Sequence, residues 1–338
     1  MGDSLFRFYS IRGTPTVLIA QADGREIDRV VGYGSEPERF RQQLEQAYQG
    51  DFTYLKISQA YEADSTNLET IARLAYKCEQ RDDYAGMSRL AEKLMQDSEK
   101  AKITRVPLGS NQEVTAYEYG CYAQILSHPR KLLTFREEFP QSPLRGNVLY
   151  MLDAAARNPK KKREALEVYS ELLKPEPKSR SIARRYILLC ADLDTCAEAA
   201  LEHLNAFWPN GPGDDFQLQE AQVSLLLVQG DEAEALEIYG PAYAQAWADS
   251  GNAYALNAYA WFWALKGRNL GDAENASRKA LELDDNHMIW DTLSMVLWKQ
   301  KRYAEAIEAE VKALQLAGGK NADYEQRIAD IRAEREGK

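Results

Sequence analysis

The sequence has few of the residues that usually carry catalysis or bind metals. Its 338 residues include only three histidines, which stand far apart, and four cysteines. The cysteines, Cys78, Cys121, Cys190 and Cys196, form no Cys-x-x-Cys pair and no metal-ligand spacing. No Ser/His/Asp arrangement emerges either. We therefore expect core thiols, no catalytic residue, no metal ion and no cofactor.

The sequence also lacks long apolar runs and an excess of positive charge. No run of about 18 apolar residues occurs, so no membrane-spanning helix is expected. The formal net charge is -10 and the isoelectric point is about 5.1. Because phosphate binding needs a basic face, this charge argues against a nucleic-acid partner. The N-terminus has no basic-then-apolar signal, which predicts a cytoplasmic location for the chain as written.

What the sequence does contain is one helical pattern that occurs twice between Asn252 and Leu316. Small and apolar residues recur in it at an interval of 33 positions: Ala273, Ala280 and Leu283 are followed by Ala306, Ala313 and Leu316. A repeat of this length with helical periodicity is typical of helical hairpins that stack into a solenoid. Alanines two turns apart allow the paired helices to approach closely.

The second copy carries the clearer motif. Trp290 and Leu293 lie on its first helix, Tyr303 follows a polar turn, and Ala306 and Ala313 lie on its second helix. The order Trp-x-x-Leu…Tyr-x-x-Ala…Ala resembles the tetratricopeptide repeat, a family of helix-turn-helix arrays. The first copy departs from the motif at its turn, where a glycine falls one place early and a leucine replaces the tyrosine.

The resemblance to tetratricopeptide repeats implies a function as well as a fold. These arrays bind peptides or proteins in a concave groove, so we expect a protein or peptide partner. The residues predicted to line the groove are Phe262, Leu265, Lys266, Met288, Asp291, Met295, Trp298 and Lys299. The alternative is that the apolar members of this set pack between repeats or under the last helix.

The first fifty residues follow a different pattern. Thr16 to Ala20 is a short apolar run, Asp23-Gly24 is a tight-turn signal, and Glu26 to Val31 alternates, which predicts a β-hairpin over residues 16–31. A serine and a proline then open a helix. Because a hairpin and one helix are marginal alone, the hairpin either docks on the helices that follow or frays.

The order of these elements resembles the C-terminal half of a thioredoxin fold, with Gly13-Thr14-Pro15-Thr16 before the first strand. The resemblance implies a substrate-contact loop at Thr14 and Pro15, with a cis bond before the proline. The Cys-x-x-Cys half would precede Phe6 and is not in this sequence, so redox catalysis is not expected. We interpret the chain as a truncated thioredoxin-fold/repeat fusion. The alternative is an unrelated α+β cap that shares the Gly-Thr-Pro-Thr motif.

Residues 51–338 carry helical patterns with short polar breaks, and no strand is predicted after Phe52. They predict a tetratricopeptide-like domain of about seven hairpins with a polar C-terminal capping helix. Residues 1–50 are predicted to form a separate, partial thioredoxin-like domain. Cys190 and Cys196 lie near one helix junction and are candidates for a disulfide only in an oxidising compartment.

Together these patterns predict a mainly α protein, a helical-hairpin solenoid preceded by a small β-hairpin-plus-helix segment. The predicted function is protein–protein interaction or scaffolding without catalysis. The alternative is a thiol-disulfide oxidoreductase or thioredoxin-fold chaperone whose redox half lies outside this chain. The address of such a longer protein would be the bacterial periplasm. The sequence indicates no oligomeric state.

Overall fold

A computed structural model of the chain describes residues 8–9, 11, 15–31, 37–50, 52–108, 113–174 and 179–337. The chain divides into two compact units, Met1–Pro177 and Lys178–Lys338. Both consist mainly of helices joined by short turns, so the predicted mainly α class is confirmed. The predicted domain boundary at residue 50 is a different division and stays a prediction. Within the described ranges, no helix is long and apolar enough to cross a membrane.

The first unit begins with the predicted β-hairpin, which is confirmed. Strands β1 (Thr16–Ala20) and β2 (Glu26–Val31) are antiparallel. Gly24 lies in the turn between them with φ 85, a backbone conformation that glycine adopts without strain. The Asp-Gly signal in the sequence therefore marks the turn correctly.

The predicted substrate-contact loop is only partly described. Pro15 is an exposed residue that directly precedes β1. Thr14 lies outside the described residues. The resemblance of this segment to a thioredoxin fold accordingly stays a hypothesis.

Helices follow the hairpin to the end of the first unit. Their bounds are α1 (Pro37–Gln49), α2 (Tyr54–Ala63), α3 (Leu68–Gln80), α4 (Tyr84–Gln96), α5 (Ser98–Ile103), α6 (Ala116–Ala123), α7 (Lys131–Glu138), α8 (Val148–Ala156) and α9 (Lys162–Leu173). Short 3-10 helices lie at Gln124–Leu126 and Pro143–Asn147. The α3–α4 and α8–α9 pairs are helical hairpins.

Ion pairs join the β-hairpin to the helices after it. Lys77 Nζ on α3 lies 2.6 Å from Asp28 Oδ2 on β2, and both side chains are buried. Glu26 binds Arg29 on its own strand and Arg81 just beyond α3. The hairpin therefore docks rather than frays, and its docking charges are paired away from water.

A second, shorter β-hairpin contradicts the expectation that no strand follows Phe52. Strands β3 (Arg105–Pro107) and β4 (Glu113–Thr115) are antiparallel, and Val106 and Val114 at their centres are buried. Three-residue strands are too short to show the alternation by which a strand is recognised in a sequence. The hairpin is stabilised instead by the burial of these two valines.

The second unit consists of helices throughout. Their bounds are α10 (Arg180–Asp192), α11 (Ala197–Phe207), α12 (Phe216–Gln229), α13 (Glu232–Tyr239), α14 (Pro241–Asp249), α15 (Ala253–Lys266), α16 (Leu270–Leu283), α17 (His287–Lys299), α18 (Tyr303–Leu316) and α19 (Ala322–Arg335). The hairpins are α10–α11, α12–α13, α15–α16 and α17–α18, and α19 packs against α18 as a capping helix.

An asparagine precedes each of the helices α15, α17 and α19. The side chains of Asn252, Asn286 and Asn321 accept hydrogen bonds from backbone N–H groups of α15, α17 and α19 at 3.0, 2.9 and 3.0 Å. Such caps satisfy N–H groups that have no partner inside the helix. They fix where each helix begins. The repeated alanines Ala273, Ala280, Ala306 and Ala313 are then fully buried between paired helices.

The two C-terminal hairpins differ by one residue in their turns. Gly267 and Lys301, the left-handed residues after α15 and α17, are 34 positions apart. Leu270 and Tyr303, which begin α16 and α18, are 33 positions apart. First helices therefore correspond at an interval of 34 and second helices at an interval of 33. This difference decides which residues of α15 and α17 correspond to one another.

Candidate functional site

One face of α15 is apolar and exposed. Tyr254, Ala258, Trp261 and Leu265 follow at intervals of four, three and four residues, which places them in one stripe along the helix. Tyr254 is 60% and Leu265 is 55% exposed, Ala258 is exposed, and Trp261 is half-buried. These four residues are named the α15 stripe. Exposed apolar stripes of this kind are candidate contact surfaces.

The difference in interval accounts for the burial of Phe262, which was predicted to line the groove. An interval of 33 places Phe262 level with Met295, but the first helices correspond at 34, which places Phe262 level with Val296. Both Phe262 and Val296 are buried, and the Phe262 ring packs 5.2 Å from that of Tyr239. Trp261 takes the position that was predicted for Phe262.

The other two residues predicted on α15 have different environments. Leu265 belongs to the α15 stripe. Lys266 Nζ lies 3.4 Å from Asp194 Oδ1, so its ammonium group already has an ionic partner within the second unit. Of the three residues predicted on this helix, Leu265 alone is both apolar and open to solvent.

The residues predicted on α17 divide between solvent and the interior. Met288 is 43% exposed and Lys299 is exposed. Met295 packs partly against the apolar core of the second unit. Trp298 is half-buried, and its Nε1 donates to Glu334 Oε2 of α19 at 2.7 Å. Trp298 therefore helps to hold the capping helix, whereas Met288 extends the exposed apolar surface from α15 to the adjacent α17.

Asp291, the remaining predicted groove residue, belongs to a buried ionic network. Its Oδ1 lies 3.1 Å from Arg327 Nε on α19, and the same nitrogen lies 3.5 Å from Glu310 Oε1 on α18. The guanidinium carbon of Arg327 lies 5.5 Å from the centre of the Trp261 ring. The network thus connects the α15 stripe to the last three helices through one arginine. Nearby, His287 Nδ1 and the Tyr324 hydroxyl are 2.8 Å apart.

Burial raises the pKa of both carboxyl groups of this network. Burial, with the neighbouring Asp291 charge, raises the pKa of Glu310 to about 8. Burial also raises the pKa of Asp291, but the Arg327 charge and a hydrogen bond with Glu310 oppose that rise. We therefore place the proton on Glu310 and the charge on Asp291, where Arg327 balances it.

The network does not form an accessible reaction centre. Two carboxyl groups with separated pKa values are the usual acid and base of hydrolytic enzymes. The side chain of Glu310 is fully buried, however, so that a substrate has no route to it. Within the described ranges, no group of three or more His, Cys, Asp or Glu side chains is arranged to hold a metal ion. The network instead joins helices α17, α18 and α19.

Three of the four cysteines have environments opposite to those of redox-active thiols. Burial raises the pKa of Cys78 and Cys190 to about 12 and that of Cys121 to about 11. Catalytic thiols have a lowered pKa, because the thiolate is the nucleophile. Cys190 and Cys196 are free thiols in this structure, and Cys196 is exposed. A bond between them stays a prediction for an oxidising compartment.

Comparison with known proteins yields no family and a remote structural similarity. No family model matches the chain, and no curated protein matches it. Among solved structures, the chain is similar to a protein in "Structure of Naa15/Naa10 bound to HypK-THB", with 14% identity and a TM-score of 0.32. The match covers 87% of this chain and 39% of that chain, so this chain spans about two fifths of its neighbour's length. A likeness this remote carries no argument about function.

Proposed function

We propose that the chain is a non-catalytic scaffold that binds a peptide or protein segment at the α15 stripe and the neighbouring Met288. The α15 stripe is the observation that carries this proposal. It holds two large apolar side chains that are more than half exposed, on a helix whose opposite face forms the core. Apolar faces at helical spacing are the surfaces that groove-binding proteins offer to helices or extended peptides.

The chemistry of the surface favours an apolar partner segment. Of the three charged residues predicted for the groove, Lys266 and Asp291 already have ionic partners within the second unit, and the Lys299 ammonium group lies over the Trp298 ring. Recognition would therefore rest on Tyr254, Leu265 and Met288, with methionine adapting to the shape of the partner. The partner segment would present apolar side chains along one face.

We also infer that the N-terminal segment serves the scaffold rather than a redox reaction. Its β2 strand is held to α3 by the Asp28–Lys77 ion pair. The raised pKa values of Cys78, Cys121 and Cys190 argue against these three thiols as activated nucleophiles. This docking supports a role for the N-terminal segment as a cap on the first helices of the chain.

Leu265→Glu is expected to reduce partner binding at least about tenfold, because a carboxylate would be placed on an apolar contact surface. The full chain and the variant would each be immobilised, and the proteins they retain from an extract would be identified and quantified. A retained protein would then be purified and its affinity for both chains measured.

Leu283→Glu is the matched control, since Leu283 is a similarly exposed leucine on α16, outside the α15 stripe. It introduces the same charge on another helix and should leave binding within about twofold of the unmodified chain. Equal losses in the two variants, with both folded by circular dichroism, would contradict the proposed surface.

A further inference from the structure

Helix α14 differs from the other helices of the second unit in how it begins. Only Gly240 separates α13 from α14. The two short helices together take the place of one second helix in the hairpin that begins with α12. Gly240 between them is extended, and Pro241 has no N–H group to continue the helix. A Cβ atom on Gly240 would collide with the carbonyl oxygen of Leu236. Gly240 and Pro241 therefore determine the break between α13 and α14.

Helix α14 is also weakly anchored. None of its residues is buried, and Tyr243, Ala244, Trp247 and Ala248 pack only partly against the core of the second unit. At its far end, Gly251 has φ 70, which gives the chain a second glycine beside the helix. A short helix between two glycines, with no fully buried side chain, belongs to the low-stability end of a fold.

The contacts of α14 are made mainly by its two rings. The Tyr243 ring lies 4.5 Å from that of Tyr239 and 6.3 Å from that of Tyr259, to which it is nearly parallel. The Trp247 ring lies 5.9 Å from Tyr243 and 6.2 Å from the exposed Phe216. Aromatic residues at i and i+4, each followed by alanine, thus form the face that α14 presents to the rest of the unit.

The surface under α14 is held together without α14. We define the aromatic floor as Tyr239, Tyr259 and Trp263, all buried. Trp263 Nε1 donates to the carbonyl of Tyr239 at 2.9 Å, and Asn269 Nδ2 donates to the Tyr259 hydroxyl at 2.9 Å. Because these bonds connect α13, α15 and the turn after α15, the floor keeps its polar groups satisfied when α14 is removed.

We propose that α14 is a displaceable helix, and that the aromatic floor beneath it binds a helix of a partner protein that carries the same pattern. The partner helix has aromatic residues at i and i+4, each followed by a small residue, and little charge. In the free chain α14 occupies the floor and competes with the partner. This surface is separate from the α15 stripe, so either proposal can fail without the other.

Hydrogen exchange on the unmodified full chain tests whether α14 opens locally. Amides of Ala244 to Asp249 are expected to exchange on the order of tenfold faster, after correction for intrinsic rates, than those of Tyr259 to Ala264 on α15. The α15 amides serve as the internal control because the floor residues lie there. Equal protection of the two helices would overturn the proposal.

A peptide supplied in trans tests whether the floor binds such a helix. The probe is a fluorescent peptide with the sequence of residues 240–252, added to the full chain and to the double variant Tyr243→Ala/Trp247→Ala. The variant, whose own helix has lost its rings, is expected to bind the peptide at least about tenfold more tightly than the unmodified chain. A peptide with both rings replaced by alanine should not bind.

Two results in this assay would overturn the proposal. One is equal or absent binding of the peptide to the folded variant. The other is dimerisation of the variant in light scattering without peptide binding, which would make a second copy of the chain the occupant. A variant that does not fold leaves the exchange measurement on the unmodified chain to decide.

Discussion

Alanine in place of Asp28 is expected to cost the first unit about 3–5 kcal/mol of its free energy of unfolding. The substitution leaves the Lys77 ammonium group buried without the carboxylate that lies 2.6 Å from it. A buried charge without a partner loses its hydration and gains no Coulomb attraction in exchange. We expect the docking of the β-hairpin to weaken, because Asp28 and Lys77 form the buried ion pair between β2 and α3.

The two units can be followed separately in this experiment. All six tryptophans lie between Trp208 and Trp298, in the second unit. In urea, the far-ultraviolet circular dichroism signal of Asp28→Ala should therefore begin to fall at lower concentration, while the tryptophan fluorescence transition stays in place. The double variant Asp28→Ala/Lys77→Met should recover most of the loss, because no charge remains buried.

Glu38→Ala is the control for this prediction. Glu38 pairs with Arg41 on α1, and both side chains are more than half exposed. Exposed pairs are screened by water and contribute little to stability, so this variant should unfold close to the unmodified chain. An Asp28→Ala chain that unfolds like the Glu38→Ala chain would show that the buried pair does not hold the hairpin.

The docking of the hairpin illustrates what sequence patterns do not contain. The alternation and the Asp-Gly turn predict the two strands, because these signals act between neighbours in the chain. Asp28 and Lys77, by contrast, are 49 positions apart. Neither residue is distinctive in the sequence, because only the fold brings the two together and buries them. The sequence consequently leaves docking and fraying as equal alternatives.

The candidate site shows a second kind of limit. The repeat interval correctly predicts the last two hairpins and the close contact of their alanines. It fails by one residue on α15, because the turn after Gly267 is one residue longer than the turn after Lys301. The spacing of the capping asparagines indicates the correct register. Asn252 and Asn286 are 34 positions apart and give the true register of the first helices, which selects Trp261 instead of Phe262.

The position of Asp291 also depends on contacts that are distant in sequence. Helical periodicity places it on the same side of α17 as Met288, which is why it was predicted to face a partner. Its actual neighbours, Glu310 and Arg327, come from two later helices. An acidic residue on a first helix can therefore serve either a ligand or the next helix of the array, and only the folded chain distinguishes the two.

Replacing Glu310 by glutamine is expected to make the second unit more stable at alkaline pH and to change little near pH 5. The folded-state pKa of Glu310 is about 8, against an ordinary value of 4.5. As pH rises between these values, the unfolded chain releases the proton and the folded chain retains it, so the free energy of unfolding falls. Glutamine resembles the protonated acid and has no proton to lose. The gain above pH 8 should amount to several kcal/mol, because one pKa unit corresponds to about 1.4 kcal/mol.

Urea unfolding followed by tryptophan fluorescence at pH 5, 7 and 9 would measure this effect on the second unit. The difference between Glu310→Gln and the unmodified chain should grow with pH, because only the unmodified chain carries the Glu310 carboxyl group. The other charged groups near the pair, His287, Asp323 and Arg327, are the same in both proteins and cancel in the comparison. Glu308→Gln, an exposed change on the same helix, should differ from the unmodified chain by less than about 0.5 kcal/mol at each pH. A constant difference across the three pH values would contradict the raised pKa of Glu310, since a purely steric effect of glutamine does not depend on pH.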